Sequence, residues 1–412
     1  MSFQSVQDGS ITSPEGYLAS GIAAGLKKSG SADTALLFSE TPAHAAAAFT
    51  PNKFQAAPVL YDREIVELGQ PVRAVIINSG NANACTGKQG LADAGHMAER
   101  TAALLDCNRT EILVSSTGRI GVPMPMDTVL AGIEKAAAAL RPDGGLQAAD
   151  AILTTDTCRK TLAVSLMVDG REVTIAGMAK GAGMIAPRLR AVSRPAHATM
   201  LAYVTSDAAV TPDFLQECLA RTLDDSFNRI TVDGDTSTND TFIALANGRA
   251  GNRVIDSNSP DAPAFQKAFQ HVVSQLARAI ILDAEGATRF VELRVFGART
   301  AEQARRCAET VANSVLCKTA WFGADPNWGR VLDAAGNADV DLDPERVSLD
   351  YSGVPIVREG MDAGTPESEQ VQAIDRPEFR IDLDLAAGDA EFIIWTCDLS
   401  YEYVRINAEY HT

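Results

Sequence analysis

Few side chains in this sequence are of types that do covalent or acid–base chemistry at neutral pH. Histidine occurs at His44, His96, His197, His271 and His411, no two of them at the helical spacing of a metal pair. The cysteines (Cys85, Cys107, Cys158, Cys218, Cys307, Cys317 and Cys397) are widely spaced, contain no C-x-x-C pair and read as reduced and mostly structural. There is no G-x-S-x-G elbow, so Ser/His and Cys/His hydrolase schemes gain no support. Hydroxyl chemistry remains. A threonine is a weak nucleophile without an adjacent base, and chain cleavage can supply one by freeing the threonine's own α-amine, whose ordinary pKa lies near neutrality. The segment Ala198-Thr199-Met200-Leu201, after a loop and at the start of a β-type run, suits such a site. On spacing alone, Thr199 reads equally as a β-branched residue opening a strand.

Three polar segments are dense in small residues: 78–87 (NSGNANACTG), 115–121 (SSTGRIG) and 180–183 (KGAG), each placed after a β-type run. Such segments let backbone N–H groups approach a ligand closely, as oxyanion and phosphate sites require, although each alone reads equally as a tight turn. Residues 181–186 (GAGMIA) match a relaxed dinucleotide fingerprint. Pro187 and Pro195 prevent the long helix that fingerprint must open, which rejects the nucleotide reading.

The elements that would position these residues mix helix and strand. Helical periodicity runs through 91–106, 127–141, 211–227, 262–282 and 300–320. Thr211-Pro212-Asp213 is an N-cap followed by proline at the first helical position, and Thr300 with Gln303 has capping-box spacing. β-rich runs lie at 74–77, 162–168, 172–177, 201–206 and 392–397, and Asp169-Gly170 predicts a tight hairpin between two of them. The absence of regular βαβ alternation predicts an α+β fold. Residues 186–198, with two prolines and three arginines in an acidic protein, predict an exposed loop.

With 412 residues, 46% hydrophobic and 22% charged, the chain can bury one large core or two smaller ones. A net charge of −17 without a basic run argues against nucleic acid and anionic membrane surfaces and favours a small-molecule partner. Without a signal-like N-terminus or an 18-residue apolar stretch, a cytoplasmic location is expected.

The chain contains in order the segments ITSPEGYLASGIAAGLKK (11–28), INSGNANACTG (77–87), SSTGRIGVPMPM (115–126), AILTTDT (151–157), MAKGAGMIAP (178–187), ATMLAYVTSDA (198–208), DGDTSTNDT (233–241), DAEGATRFVE (283–292), ADPNWGRVLDAAG (324–336) and YVRINAEYHT (403–412). Through them the whole chain resembles the ornithine acetyltransferase (glutamate N-acetyltransferase) family. The resemblance implies a layered α+β fold and self-cleavage between Ala198 and Thr199, giving an α chain 1–198 and a β chain 199–412 that intertwine in one catalytic unit. It implies Thr199 as nucleophile, Thr117 and Gly118 as oxyanion hole, and substrate contacts at Thr154, Lys180, Thr199, Glu285, Asn407 and Thr412. Lys180 would complement a substrate carboxylate and Glu285 the ornithine ammonium; without the resemblance both read as solvated charges. The implied reaction is ping-pong acetyl transfer from N2-acetylornithine to glutamate, with no metal or organic cofactor, in an α2β2 heterotetramer. Acetyl-CoA is a second donor in bifunctional members of the family. An N-terminal-nucleophile amidase or peptidase, a secondary-metabolism acyltransferase and a non-catalytic amino-acid binder stay open as alternatives. Two features depart from the family pattern: a longer, more basic interval between Pro187 and Thr199, and Arg119 where an apolar residue is usual.

Overall fold

Pro42 sits inside the longest strand, Thr34–Phe49, where it cannot donate to a ladder. The register of that strand accordingly shifts between Phe38 and Ala43, and its two halves serve different neighbours. The computed structural model describes residues 3–191 and 200–409, so Ala198, Thr199 and Thr412 lie outside the described residues. The described residues form two compact units, one within 1–228 and 235–280 and the other within 229–234 and 281–411.

In the first unit the strands are β1 (Gln4–Ser5), β2 (Tyr17–Ile22), β3 (Thr34–Phe49), β4 (Val72–Asn81), β5 (Ile112–Arg119), β6 (Lys160–Val168), β7 (Arg171–Lys180), β8 (Arg190–Ala191), β9 (Leu201–Ser206) and β10 (Thr241–Ala246). They make one mixed sheet in the order β1-β6-β7-β9-β10-β3-β4-β5, with β2 and β8 also paired to β3. The β6–β7 hairpin turns at Asp169-Gly170 as expected, both residues having positive φ (49° and 75°), the combination a type I′ turn requires. Helices α1 (Ala57–Glu67), α2 (Gly87–Leu105), α3 (Met126–Ala138) and α4 (Gly145–Ala151) share a core with β2 to β5. Alternation along the strands sends Leu201, Tyr203, Ile243 and Leu245 into that same core. Helices α5 (Pro212–Leu223) and α6 (Ala262–Leu282) pack together through Phe214 and Phe265, and Phe269 of α6 meets Phe242 of β10. Gly177 of β7 leaves room for α6: a Cβ there would lie 2.7 Å from Leu276.

The second unit contains β11 (Phe290–Ala298), β12 (Ser348–Tyr351), β13 (Val354–Arg358), β14 (Met361–Asp362), β15 (Glu378–Asp384) and β16 (Ala390–Cys397), ordered β14-β13-β12-β15-β11-β16. Its helices are α7 (Ala301–Ala312), α8 (Val315–Phe322), α9 (Trp328–Gly336), α10 (Glu367–Ile374) and α11 (Tyr401–Glu409). A separate core gathers Val291, Leu293, Trp321, Leu349, Phe379 and Ile381. The mixed sheets, with helices against them, are the expected α+β class.

Two expectations need correction. Residues 300–320 are two helices, because Ser314 breaks the run and caps α8 by accepting a hydrogen bond from Cys317 N (3.3 Å). Residues 186–191 are no exposed loop: Ala186, Pro187 and Leu189 are buried, Arg188 is exposed, and β8 pairs with Ala48 and Phe49 of β3. The apolar residues between the arginines supply the burial that composition obscured. Residues 192–198 lie outside the described residues.

Candidate active site

Thr117 and Gly118 lie at the end of β5, within the strand and not after it as expected. β5 runs parallel to β4, so both strands deliver their C-terminal ends to one edge, and the register becomes irregular where Gly80 and Asn81 meet Thr117, Gly118 and Arg119. Gly118 has φ +129°, and a Cβ on it would lie 2.4 Å from the Gly80 carbonyl carbon. Glycine is therefore required for the two backbones to approach this closely.

The small-residue segment 78–87 is held by its own amide side chains. Asn78 Nδ2 donates to Asn81 O (2.8 Å), Ser116 Oγ donates to Asn78 Oδ1 (2.6 Å), and Asn83 N donates to Asn81 Oδ1 (2.8 Å). Asn239 then ties both strand ends together, its Nδ2 donating to Ala82 O (2.6 Å) and Ser116 O (2.8 Å). A buried amide that satisfies two buried carbonyls fixes the strand ends rigidly.

β9 begins beside this edge. Leu201 is registered between Lys180 at the end of β7 and Thr241 at the start of β10, and Thr241 N donates to Met200 O (2.9 Å). The chain that follows position 199 is thus fixed between a lysine and a threonine. Lys180 is 6% exposed, and its Nζ lies 3.8 Å from Asp156 Oδ2. That oxygen also accepts from Thr154 N (3.0 Å), while Oδ1 accepts from Gly181 N (2.7 Å) and from Lys160 Nζ (2.8 Å). Burial opposes charge on Asp156, but Lys180 and then Lys160 outweigh it and hold its carboxyl below the usual carboxylate range. Lys180 and Thr154, named from the resemblance, thus meet through Asp156, a residue to which the sequence reading gave no role.

Within the second unit, Asn407 Nδ2 on α11 donates to Glu285 Oε2 (2.7 Å). The turn carrying Glu285 is shaped by Gly286, whose φ of +66° accompanies a would-be Cβ only 2.5 Å from Tyr403 N. Ser400 Oγ donates to Gly286 O (2.6 Å), and Asp398 Oδ1 accepts from Thr288 N and Arg289 N (2.8 and 3.0 Å). Glu285 is buried and Asn407 exposed, so this pair is a half-sheltered carboxylate suited to a cationic group. Asn239 and Asp398 escaped the sequence reading because their partners are remote in sequence, and Lys160 because its partner Asp156, in the preceding turn, was itself given no role. Arg119 is exposed.

The first unit holds strand-end backbone rigidly and buries an ammonium, and the second half-shelters a carboxylate, provisions that polar-substrate catalysis uses; the class, carried by the family match, is acyltransferase. Residues 18–412 match the ArgJ family, and the chain belongs to it. The arginine biosynthesis bifunctional protein ArgJ of Symbiobacterium thermophilum is 47% identical, with 98% of this chain and 99% of that protein covered. The protein of the same name from Caldanaerobacter subterraneus is 43% identical over 99% of this chain and all of its own length (100%). A solved chain of ornithine acetyltransferase complexed with ornithine, from Mycobacterium tuberculosis, is 43% identical and covers 45% of this chain and 99% of its own, at a TM-score of 0.43. No helix among the described residues is long and apolar enough to cross a membrane.

Proposed function

We propose that this protein transfers the acetyl group of N2-acetylornithine to glutamate through an acetyl-Thr199 intermediate. The chain first breaks between Ala198 and Thr199, freeing the threonine α-amine as its own base. Thr199 Oγ attacks the acetyl carbonyl as the α-amine takes the hydroxyl proton. Donors at Thr117 and Gly118 stabilise the resulting oxyanion, each worth about 3 kcal/mol in the transition state. The intermediate collapses, the proton passes to the departing nitrogen, and ornithine leaves. The glutamate amine then attacks the acetyl ester, and N-acetylglutamate departs with Thr199 restored.

Lys180 takes the α-carboxylate common to donor and acceptor, with Thr154 beside it. Glu285, Asn407 and Thr412 take the other end of the substrate, Glu285 facing the ornithine ammonium. One pocket serves both half-reactions because both substrates share an α-amino-acid core. The working assembly is an α2β2 heterotetramer in the cytoplasm. The relatives' names call them bifunctional in arginine biosynthesis, and acetyl-CoA is the second donor to assay.

The observation that carries this reading is the register that holds Leu201 between Lys180 and Thr241, which brings the chain after position 199 to a buried ammonium. Intact mass spectrometry before and after N2-acetylornithine tests it. The expected result is two products divided at 198/199, with one acetyl group on the product that starts at Thr199. Thr199→Ala should give a single chain of 412 residues without transfer. Normal turnover by that variant would sink the assignment, and acetate release without glutamate would make the enzyme an amidase.

A further inference from the structure

A carboxylate with no exposed side-chain surface lies behind two of the proposed substrate contacts, and its surroundings give it a definite task. The two oxygens of Asp156 divide their partners evenly: Oδ2 takes Thr154 N and faces Lys180 Nζ, while Oδ1 takes Gly181 N and Lys160 Nζ. The side chains of Lys160 and Asp156 are 1% and 0% exposed, and that of Lys180 is 7% exposed. Antiparallel pairing of Lys160 with Ala179 brings the first lysine beside the second across the β6–β7 ladder. Lys27 braces the same turn from its other side, its Nζ donating to Ala32 O and Leu153 O (both 2.7 Å), the latter one residue before Thr154.

We propose that Asp156 is the positioning residue of the carboxylate subsite, fixing the Lys180 ammonium and the Thr154 backbone so that together they receive the substrate α-carboxylate. The inference rests on the proposed roles of Lys180 and Thr154. An unrestrained lysine samples many rotamers, and each costs binding free energy when it is frozen on a ligand. A buried carboxylate that meets the ammonium beforehand removes that cost, and Lys180 and then Lys160 supply the charge that keeps Asp156 ionised. Asp156 itself need not touch substrate.

The test compares two donors in the cleaved full-length enzyme: N2-acetylornithine and N-acetyl-1,4-diaminobutane, which lacks only the α-carboxylate. In the native enzyme, kcat/KM for the first half-reaction should favour N2-acetylornithine strongly. In Asp156→Asn that preference should shrink by about tenfold or more, through a raised KM for the carboxylate donor, while the diaminobutane derivative keeps its native kcat/KM. A general loss of structure would lower both donors together. Equal losses, or a preference that survives intact in Asp156→Asn, overturn the positioning role alone. Equal kcat/KM for the two donors in the native enzyme overturns the assignment of Lys180, and the positioning role falls with it. If Asp156→Asn does not fold, Asp156→Asn combined with Lys160→Met removes one of the two ammoniums that face Asp156, and the same ratio is read there.

Discussion

Asp156 also bears on stability, in a direction set by its burial and its two lysines. Burial disfavours its charge, the two lysines more than compensate, and the folded carboxyl titrates below the ordinary value of about 3.9. A carboxylate with a depressed folded pKa stabilises the fold fully above its unfolded value, and that contribution is lost as pH falls towards the folded one. Asp156→Asn removes the carboxylate that both buried ammoniums face and should cost about 3–5 kcal/mol at pH 7 in urea denaturation. The gap to the native protein should hold from pH 8 to about pH 5 and narrow below about pH 4; a gap constant into strong acid would refute the pairing. Gly118 is subject to a different constraint. Gly118→Ala meets both a left-handed φ and a 2.4 Å approach to Gly80, so a loss of about 2–4 kcal/mol is expected, read by the same method. The glycine was legible in the sequence as a candidate for close backbone approach. Asp156 lies within AILTTDT (151–157), where no role for it is legible, because Lys180 reaches it only through the register of the β6–β7 hairpin.

Helix α11 shows how an element can matter for chemistry and little for stability. None of its residues is buried, and Asn407 reaches Glu285 from its last turn. Deleting residues 407–412 should therefore abolish acetyl transfer, change the unfolding free energy by less than about 1 kcal/mol, and leave cleavage at 198/199 complete on a denaturing gel. A truncated protein that turns over normally would remove this helix from the site. Elements with strong periodicity or capping were legible: α6 falls where the apolar pattern put it, α3 and α5 start within a residue of it, and α2 starts a turn early, inside the small-residue segment. The single helix expected over 300–320 failed because its apolar pattern continues through Ser314, whose hydroxyl finds a better role as a cap than inside a helix. β3 was hard to see for the converse reason. Its alanines carry weak strand propensity and Pro42 argues against a strand, yet pairing on both sides and a register shift accommodate them.

At the scale of the molecule, composition and the irregular mixture of elements were enough for the α+β class, but not for the interleaving of the first unit's sheet. Strand order depends on pairings remote in sequence, which periodicity does not record. The order matters for what cleavage would do. The proposed scissile bond falls inside the first compact unit and does not follow the division between the two units. On one side of it β9 and β10 belong to the β chain; on the other, β3 and β7 belong to the α chain. In the sheet the two β-chain strands lie between α-chain strands, β7-β9-β10-β3, with every residue of β9 and β10 buried. Separating the products would expose both strands and break the ladders on their outer sides, where each backbone group left unpaired in a buried setting costs about 1–3 kcal/mol. Apolar burial and backbone hydrogen bonds hold the pair, neither of which salt screens. The two products of cleavage should therefore elute together from a sizing column in native buffer and in high salt, and appear as two bands only on a denaturing gel. In a denaturant titration, their dissociation should coincide with loss of the circular-dichroism signal of the sheet. Products that separate while that signal is intact would contradict the interleaved arrangement.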